Sequence, residues 1–400
     1  MSTSRWRMAS IPILVAGLAA WTVVTAPTRT TLTVIQLDAR LDPTPPSASL
    51  GRPSQERPRR LSPAFALSLP SSAVAPTLIA ATMRPPCLIA VGDPSQQMVH
   101  VLGEQGHVLG TFDGGGRAPR VLQSLSALAV TDQGRLVLGD AIASRLLIVE
   151  PPGWRVSRVV SLEPERGRLS PVSLAVVRDS MIVVASRLLP TAFASAKPFV
   201  KMVALVGRLI RYVGRVDALP GGPFTAAFGD AIVASMADSI VVAMPSIGVI
   251  GAVAATSRAT GTQRVRLPTV SGRGALEYIE RGKGDTLDQV KLVSSVAMLR
   301  SVAVDADHNW FLVQDVNGAV VTDERMHGFG QVIVAMPASN RAAPMYFAAD
   351  EEVVALAATA KWIYAVVHPP ASSRGDVVPA KVIAVRNPFW VATRDGEQRC

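Results

Sequence analysis

The chain has 400 residues, of which 49% are hydrophobic and 18% charged, with 30 Gly and 30 Pro. A mean hydropathy of +0.31 supplies enough apolar surface for a large core and excludes disorder over most of the length. Sparse charge with abundant Gly and Pro excludes coiled coils and long solvent-laced helices. The net charge of +10 invites an acidic partner, but residues 1–60 hold eight Arg against Asp38, Asp42 and Glu56, so half of the surplus sits at the N-terminus. Six Lys against 34 Arg also point to compositional bias, and nucleic acid is not the expected partner.

In chain order, the first element is Arg5 and Arg7 followed by an uncharged stretch from Met8 to Thr28. A basic start and an apolar run are the pattern of a secretory signal. Two outcomes stay open, a cleaved signal peptide or an uncleaved signal anchor over residues 1–28, since about 20 apolar residues span a bilayer. No Cys follows the apolar run, so lipid attachment is not expected. Residues 29–76 read as a linker rich in Pro, Ser and Arg: eight Pro fall between Asp42 and Pro76, with Arg57, Arg59 and Arg60 among them. Pro removes a backbone donor and restricts its predecessor, which favours an extended tether.

From residue 77 onward, period-2 alternation and short apolar runs dominate. The clearest unit predicts strands over residues 126–130, 135–139, 145–149 and 156–161, with Asp132 and Gly134 in the first turn. The layout recurs near residues 172–186, 231–244, 301–315 and 353–367, with a weaker copy at 88–93. The second strands are anchored at Asp93, Asp140, Ser186, Met244, Asp315 and Val367. Six copies of a four-strand unit at such spacing predict an all-β, six-bladed β-propeller over residues 77–400. The uncharged stretch at residues 239–257 is long enough for a membrane helix, but Pro245, Gly248 and Gly251 make it two strands and a turn.

An apolar strand, an Asp-containing turn and a second strand ending in Asp, followed by Arg145-Leu-Leu-Ile-Val149, resemble the blades of secreted bacterial propellers of the NHL-repeat-like and TolB-like kind. The segment from Val302 to Val313 resembles their blade openings. The resemblance implies a fold, and no single activity follows from it. It also raises two roles for Asp93, Asp140 and Asp315: a structural repeat position accepting backbone donors, or the acidic ligands of a channel metal as in six-bladed lactonases. The structural role is the expected one. A propeller brings its ends together, so Cys87 and Cys400 are a candidate disulfide, the alternative being two free thiols.

No motif supplies a catalytic residue or a cofactor site. The glycines at 272, 274, 282 and 284 match neither a P-loop nor a dinucleotide fingerprint, and residues 275–280 are expected to form a short helix. The five His (100, 107, 308, 327 and 368) lack zinc-hydrolase spacing, and no nucleophile elbow occurs. Trp310 and Trp362 share one repeat position, which reads as packing. The expectation is an exported binding or scaffold module, periplasmic or secreted, with no cofactor. Its partner would be a protein, peptide or small molecule at a propeller face, and its only membrane contact residues 1–28 if uncleaved. The alternative is a propeller hydrolase or lactonase with a metal in the central channel.

Overall fold

A computed structural model of the chain describes residues 58–115, 121–162, 170–187, 200–213, 231–236, 239–244, 249–254, 262–266, 298–315, 320–321, 326–327, 331–338, 344–369, 379–391 and 400. The expected signal or anchor, most of the expected linker and the segment at residues 272–284 lie outside them. No helix occurs among the described residues.

Two short strands come first, β1 (Arg59–Arg60) and β2 (Phe65–Leu67). The first blade follows with β3 (Leu78–Ala81), β4 (Leu88–Asp93), β5 (Met98–Gly103) and β6 (Val108–Asp113). The second holds β7 (Leu125–Val130), β8 (Leu136–Asp140), β9 (Arg145–Glu150) and β10 (Arg155–Ser161). The third holds β11 (Ser170–Val177), β12 (Met181–Arg187), β13 (Val200–Ala204) and β14 (Leu209–Val213). The fourth holds β15 (Ile232–Met236), β16 (Ser239–Met244), β17 (Val249–Ala254) and β18 (Thr262–Arg266). Next come β19 (Met298–Val304) and β20 (Trp310–Asp315), a two-stranded ribbon of β21 (Val320–Val321) and β22 (Met326–His327), then β23 (Gln331–Met336) and β24 (Met345–Ala348). The last blade holds β25 (Glu352–Ala358), β26 (Trp362–His368) and β27 (Lys381–Arg386).

These elements build a β-propeller of four-stranded antiparallel blades. Burial explains the residue pattern. The middle strands are covered on both faces by neighbouring blades, so β4, β8 and the body of β9 are apolar without alternation. The outer strand β10 buries only Val156 and Val160, and its remaining residues are exposed, with a register break between Val156 and Arg158. Residues 239–257 contribute β16 and β17, paired antiparallel from Ser239↔Ala254 to Met244↔Val249, as the Pro and Gly positions indicate. All six second-strand anchors lie in second strands: β4, β8, β12, β16, β20 and β26.

Two expectations are corrected. Among the described residues there are five four-stranded blades rather than six, because the β19 sheet carries a fifth strand in the order β1-β24-β23-β20-β19. Arg59 and Arg60 add in parallel to the outer edge of β24, opposite Phe347 and Ala348, where backbone groups would otherwise lack sheet partners. The second correction concerns the linker. Residues 59–67, expected in a tether, belong to the ring, since β2 pairs antiparallel with β27 from Phe65↔Ala384 to Leu67↔Val382. The last blade takes three strands from the C-terminal region, and the N-terminal segment supplies its fourth.

Candidate functional site

The first strands follow one another as β3, β7, β11, β15, β19 and β25, and β25 lies against β3. All six line one central cavity of about 230 Å³, running from the level of Thr77 and Arg300 to that of Met83. Small side chains such as Ala80, Ala129, Ala175 and Ala234 fit there because the inner edges of the sheets converge on the axis. Pairing of the first strands is interrupted at matching places, at Ser126, Val172, Arg300 and Val354. A bulge of this kind re-aims side chains. Nearby hydroxyls then join adjacent blades. Ser126 Oγ donates to the Pro171 carbonyl at 2.6 Å, the Val233 amide donates to Ser173 Oγ at 3.0 Å, and the Leu356 amide donates to Ser301 Oγ at 3.0 Å.

At the end where first strands turn into second strands, the turn end, the channel opens into a mouth of about 430 Å³ lined in part by Arg84, Asp132, Arg178, Asp179 and Asp305. Its carboxylates form a chain of contacts around the ring. The Met83 amide donates to Asp132 Oδ1 at 3.1 Å, and the Asp132 amide donates to Asp179 Oδ1 at 2.6 Å. Burial raises the Asp132 pKa, and the charge of Asp179 adds to the rise, against the lowering by the Met83 amide and Arg84. Arg178 and Asp179 both take positive φ of 51°, a left-handed turn that Asp tolerates through local hydrogen bonding. Asp305 is buried and fully engaged. It accepts from the Asp307 and Asn309 amides and from the side-chain amides of Asn309 and Asn387, at 2.7–2.9 Å. Burial raises its pKa against the lowering by those donors.

At the opposite end, Arg300 spans two sheets, donating to Asp315 Oδ2 at 2.6 Å and Glu352 Oε1 at 2.7 Å. The hydrogen bond that Arg300 donates to Asp315 raises the Arg300 pKa, so the guanidinium stays charged.

The repeated Asp residues each face their own sheet. Asp93 accepts from the Val74, Ala75 and Ser95 amides at 2.7–2.9 Å. Asp140 accepts from the Gln123 and Ser124 amides and from Arg145 Nε, all at 3.1 Å. Asp315 takes Arg300 and Gln331 Nε2. Their oxygens meet separate partners and do not converge, and among the described residues no group of three His, Cys, Asp or Glu is arranged to hold a metal ion.

The His residues are dispersed as well. His100 is fully buried with Nδ1 3.1 Å from Thr111 Oγ1. His308 occupies a turn at φ 66°, and His368 Nε2 meets the Pro76 carbonyl at 2.9 Å. Trp310 is buried in the core, while Trp362 packs edge-on against Phe65 at 5.0 Å and donates Nε1–H to Glu104 at 2.9 Å. Cys87 and Cys400 are joined in a disulfide with Cα atoms 5.3 Å apart. The residues missed in sequence are Arg84 and Arg300. Asp132 and Asp179 were visible as turn formers, but their contacts arise only when equivalent turns of neighbouring blades meet.

No protein-family model and no curated protein sequence matches the chain. Among solved structures it is similar to a putative exported protein from Bacteroides fragilis, with 11% identity over 83% of this chain and 98% of the other, at a TM-score of 0.51. It is also similar to virginiamycin B lyase from Staphylococcus aureus (8% identity, 80% and 83% covered, TM-score 0.45) and to U3-55K (9%, 81% and 98%, TM-score 0.49). At such identities the first shared feature is the propeller fold, and the lower scores carry nothing further. No helix among the described residues is long and apolar enough to cross a membrane.

Proposed function

We propose that the chain is an exported β-propeller that acts as a binding or scaffold module outside the cytoplasm. The five-stranded sheet serves in this reading as a sixth blade, supported by β19 lining the channel between β15 and β25. The observation that carries the module reading is the use made of the polar groups around the axis. Asp132, Asp179, Ser173 and Ser301 are committed to backbone amides of neighbouring sheets. Such bonds rigidify a ring and leave its loops and mouths to present a surface. The Arg5 to Thr28 segment supports export, and the Cys87–Cys400 bridge belongs to an oxidising compartment.

Two measurements on the full chain test this. Fusion of alkaline phosphatase to the C-terminus should give an active reporter, and an inactive one with the chain recovered from the cytoplasm overturns export. Elemental analysis of protein purified without chelators should find no stoichiometric divalent ion. A bound stoichiometric ion together with lactone hydrolysis would replace the module with a channel hydrolase.

A further inference from the structure

The third-to-fourth-strand hairpins of the first three blades meet at the turn end. The Trp154 indole lies against Gly110, joining the second blade's hairpin to β6. Arg158 Nη1 donates to the Leu205 carbonyl at 3.2 Å, joining the second to the third. Gly106 and Gly207 take the positive φ these tight turns need, 89° and 94°. The continuous rim so formed is apolar where water would favour polar residues: Val206 is 67% exposed, and Val108, Leu109, Leu209 and Ile210 are exposed beside it. The charges interspersed there are predominantly positive, the exposed Arg155, Arg158 and Arg208 outnumbering the exposed Glu150. Of the described carboxylates of these hairpins, Glu104 is bound by Lys361 and Trp362, and Glu150 lies 3.5 Å from Arg135 in an exposed ion pair.

We propose that this rim rests on an anionic lipid surface, with Val206, Leu209, Val108 and Leu109 entering the headgroup region and the three arginines meeting phosphates. Charge complementarity selects the occupant. Exposed aliphatic side chains beside a net excess of arginines fit the interface of an anionic bilayer, where apolar groups enter the headgroup region and guanidinium groups meet phosphates. This contact goes beyond the module reading and does not depend on whether residues 1–28 are retained, because it is read in the ring itself.

The test uses the full chain under non-reducing conditions, where Cys87 and Cys400 are paired and an added thiol is the reactive one. Val206→Cys and, as reference at the opposite end, Ile142→Cys each carry a polarity-sensitive dye. Vesicles of phosphatidylcholine with phosphatidylglycerol should shift the dye at position 206 to the blue and leave that at 142 unchanged, with the shift weakening as salt rises. Replacing Arg155, Arg158 and Arg208 by Glu should abolish it, with binding roughly fivefold weaker for each arginine lost. Lys at the same positions should retain it. The proposal is overturned by an unchanged dye at 206, by equal shifts at 206 and 142, or by an equal response to phosphatidylcholine alone. A shift that grows with protein concentration without vesicles also overturns it and assigns the rim to a second copy of the chain.

Discussion

Two junctions of the ring are built differently. Between the first and second blades the chain is continuous, and the contact is mainly an apolar layer of Leu88, Val99, Leu128, Leu136 and their neighbours, with the Met83 amide on Asp132 at its end. Between the last and first blades the chain runs directly only from β2 into β3, while β25, β26 and β27 come from the far end of the sequence, and the contact is reinforced repeatedly. Leu67 from β2 packs with Ile89, Tyr364 and Val382. Lys361 and Trp362 reach Glu104, His368 reaches Pro76, and Cys87 is bonded to Cys400. The difference teaches where ring closure costs chain freedom: docking β25, β26 and β27 beside the first blade brings together segments about 300 residues apart, a cost that junctions between blades adjacent in sequence do not carry.

The comparison can be broken first at the disulfide. Cys87→Ser with Cys400→Ser should cost about 4–6 kcal/mol in the chain-entropy model for so long a loop, read as the shift in denaturant midpoint. A loss below about 1 kcal/mol would put the closure elsewhere. Next, Leu67→Ala should cost about 2–5 kcal/mol, comparable with Leu147→Ala inside the second blade, both being buried. If Leu67→Ala is silent while Leu147→Ala is not, β2 is an ornament of the last blade.

The sequential junctions are probed at Asp179. Asp179→Ala removes the acceptor of the Asp132 amide and should cost about 1–3 kcal/mol. Because the Asp179 charge contributes to raising the Asp132 pKa, the same variant should lower that pKa, which carboxylate NMR titration measures.

Acid separates the blades further. Burial lowers the pKa of His100, with Asp93 opposing, from the ordinary 6.5. The unfolded chain therefore binds a proton at 6.5 that the folded chain refuses, so stability falls as pH drops from above 6.5 toward the lower folded value. Asp93 acts lower on the scale: burial raises its pKa, but Ser95 and the amides of Ala75, Val74 and Gln96 outweigh it, leaving it lowered from 3.8. Its contribution is present above 3.8 and is lost as pH falls through the folded value. His100→Leu, the residue type at the matching Leu147, should flatten the thermal midpoint between pH 7.5 and 5 relative to the unsubstituted chain; an unchanged slope assigns the acid sensitivity elsewhere.

The smallest effect is expected at Arg300, whose ion pairs with Asp315 and Glu352 are partly exposed. Arg300→Ala should cost about 0.2–1 kcal/mol, diminishing with salt.

Much of the fold was legible because burial between blades imposes a residue pattern. The apolar second strands ending at Asp93, Asp140 and Asp315 are visible along the chain, as are the turns at Asp132-Gln-Gly134 and Arg178-Asp-Ser180. The structural role of the repeated Asp residues was also accessible, since a carboxylate two residues ahead of turn amides suits them locally. β1 and β2 were not legible. Two and three residues among prolines carry no periodicity, and their partners lie in β24 and β27, far along the chain. The mouth was equally hidden: Asp179 meets the Asp132 amide across 47 positions.

The sequence by itself determined that this chain is built of short strands in repeated four-strand units, because alternation and apolar runs follow from local burial. Its +10 charge and high apolar fraction acquire meaning only in three dimensions. Tertiary structure decided that the N-terminal strands complete sheets begun near the other end, that the polar groups around the channel link blade to blade, and that Arg155, Arg158 and Arg208 share a rim with exposed Val206 and Leu209. Those outcomes depend on which distant segments become neighbours, and ring closure sets that through packing between sheets.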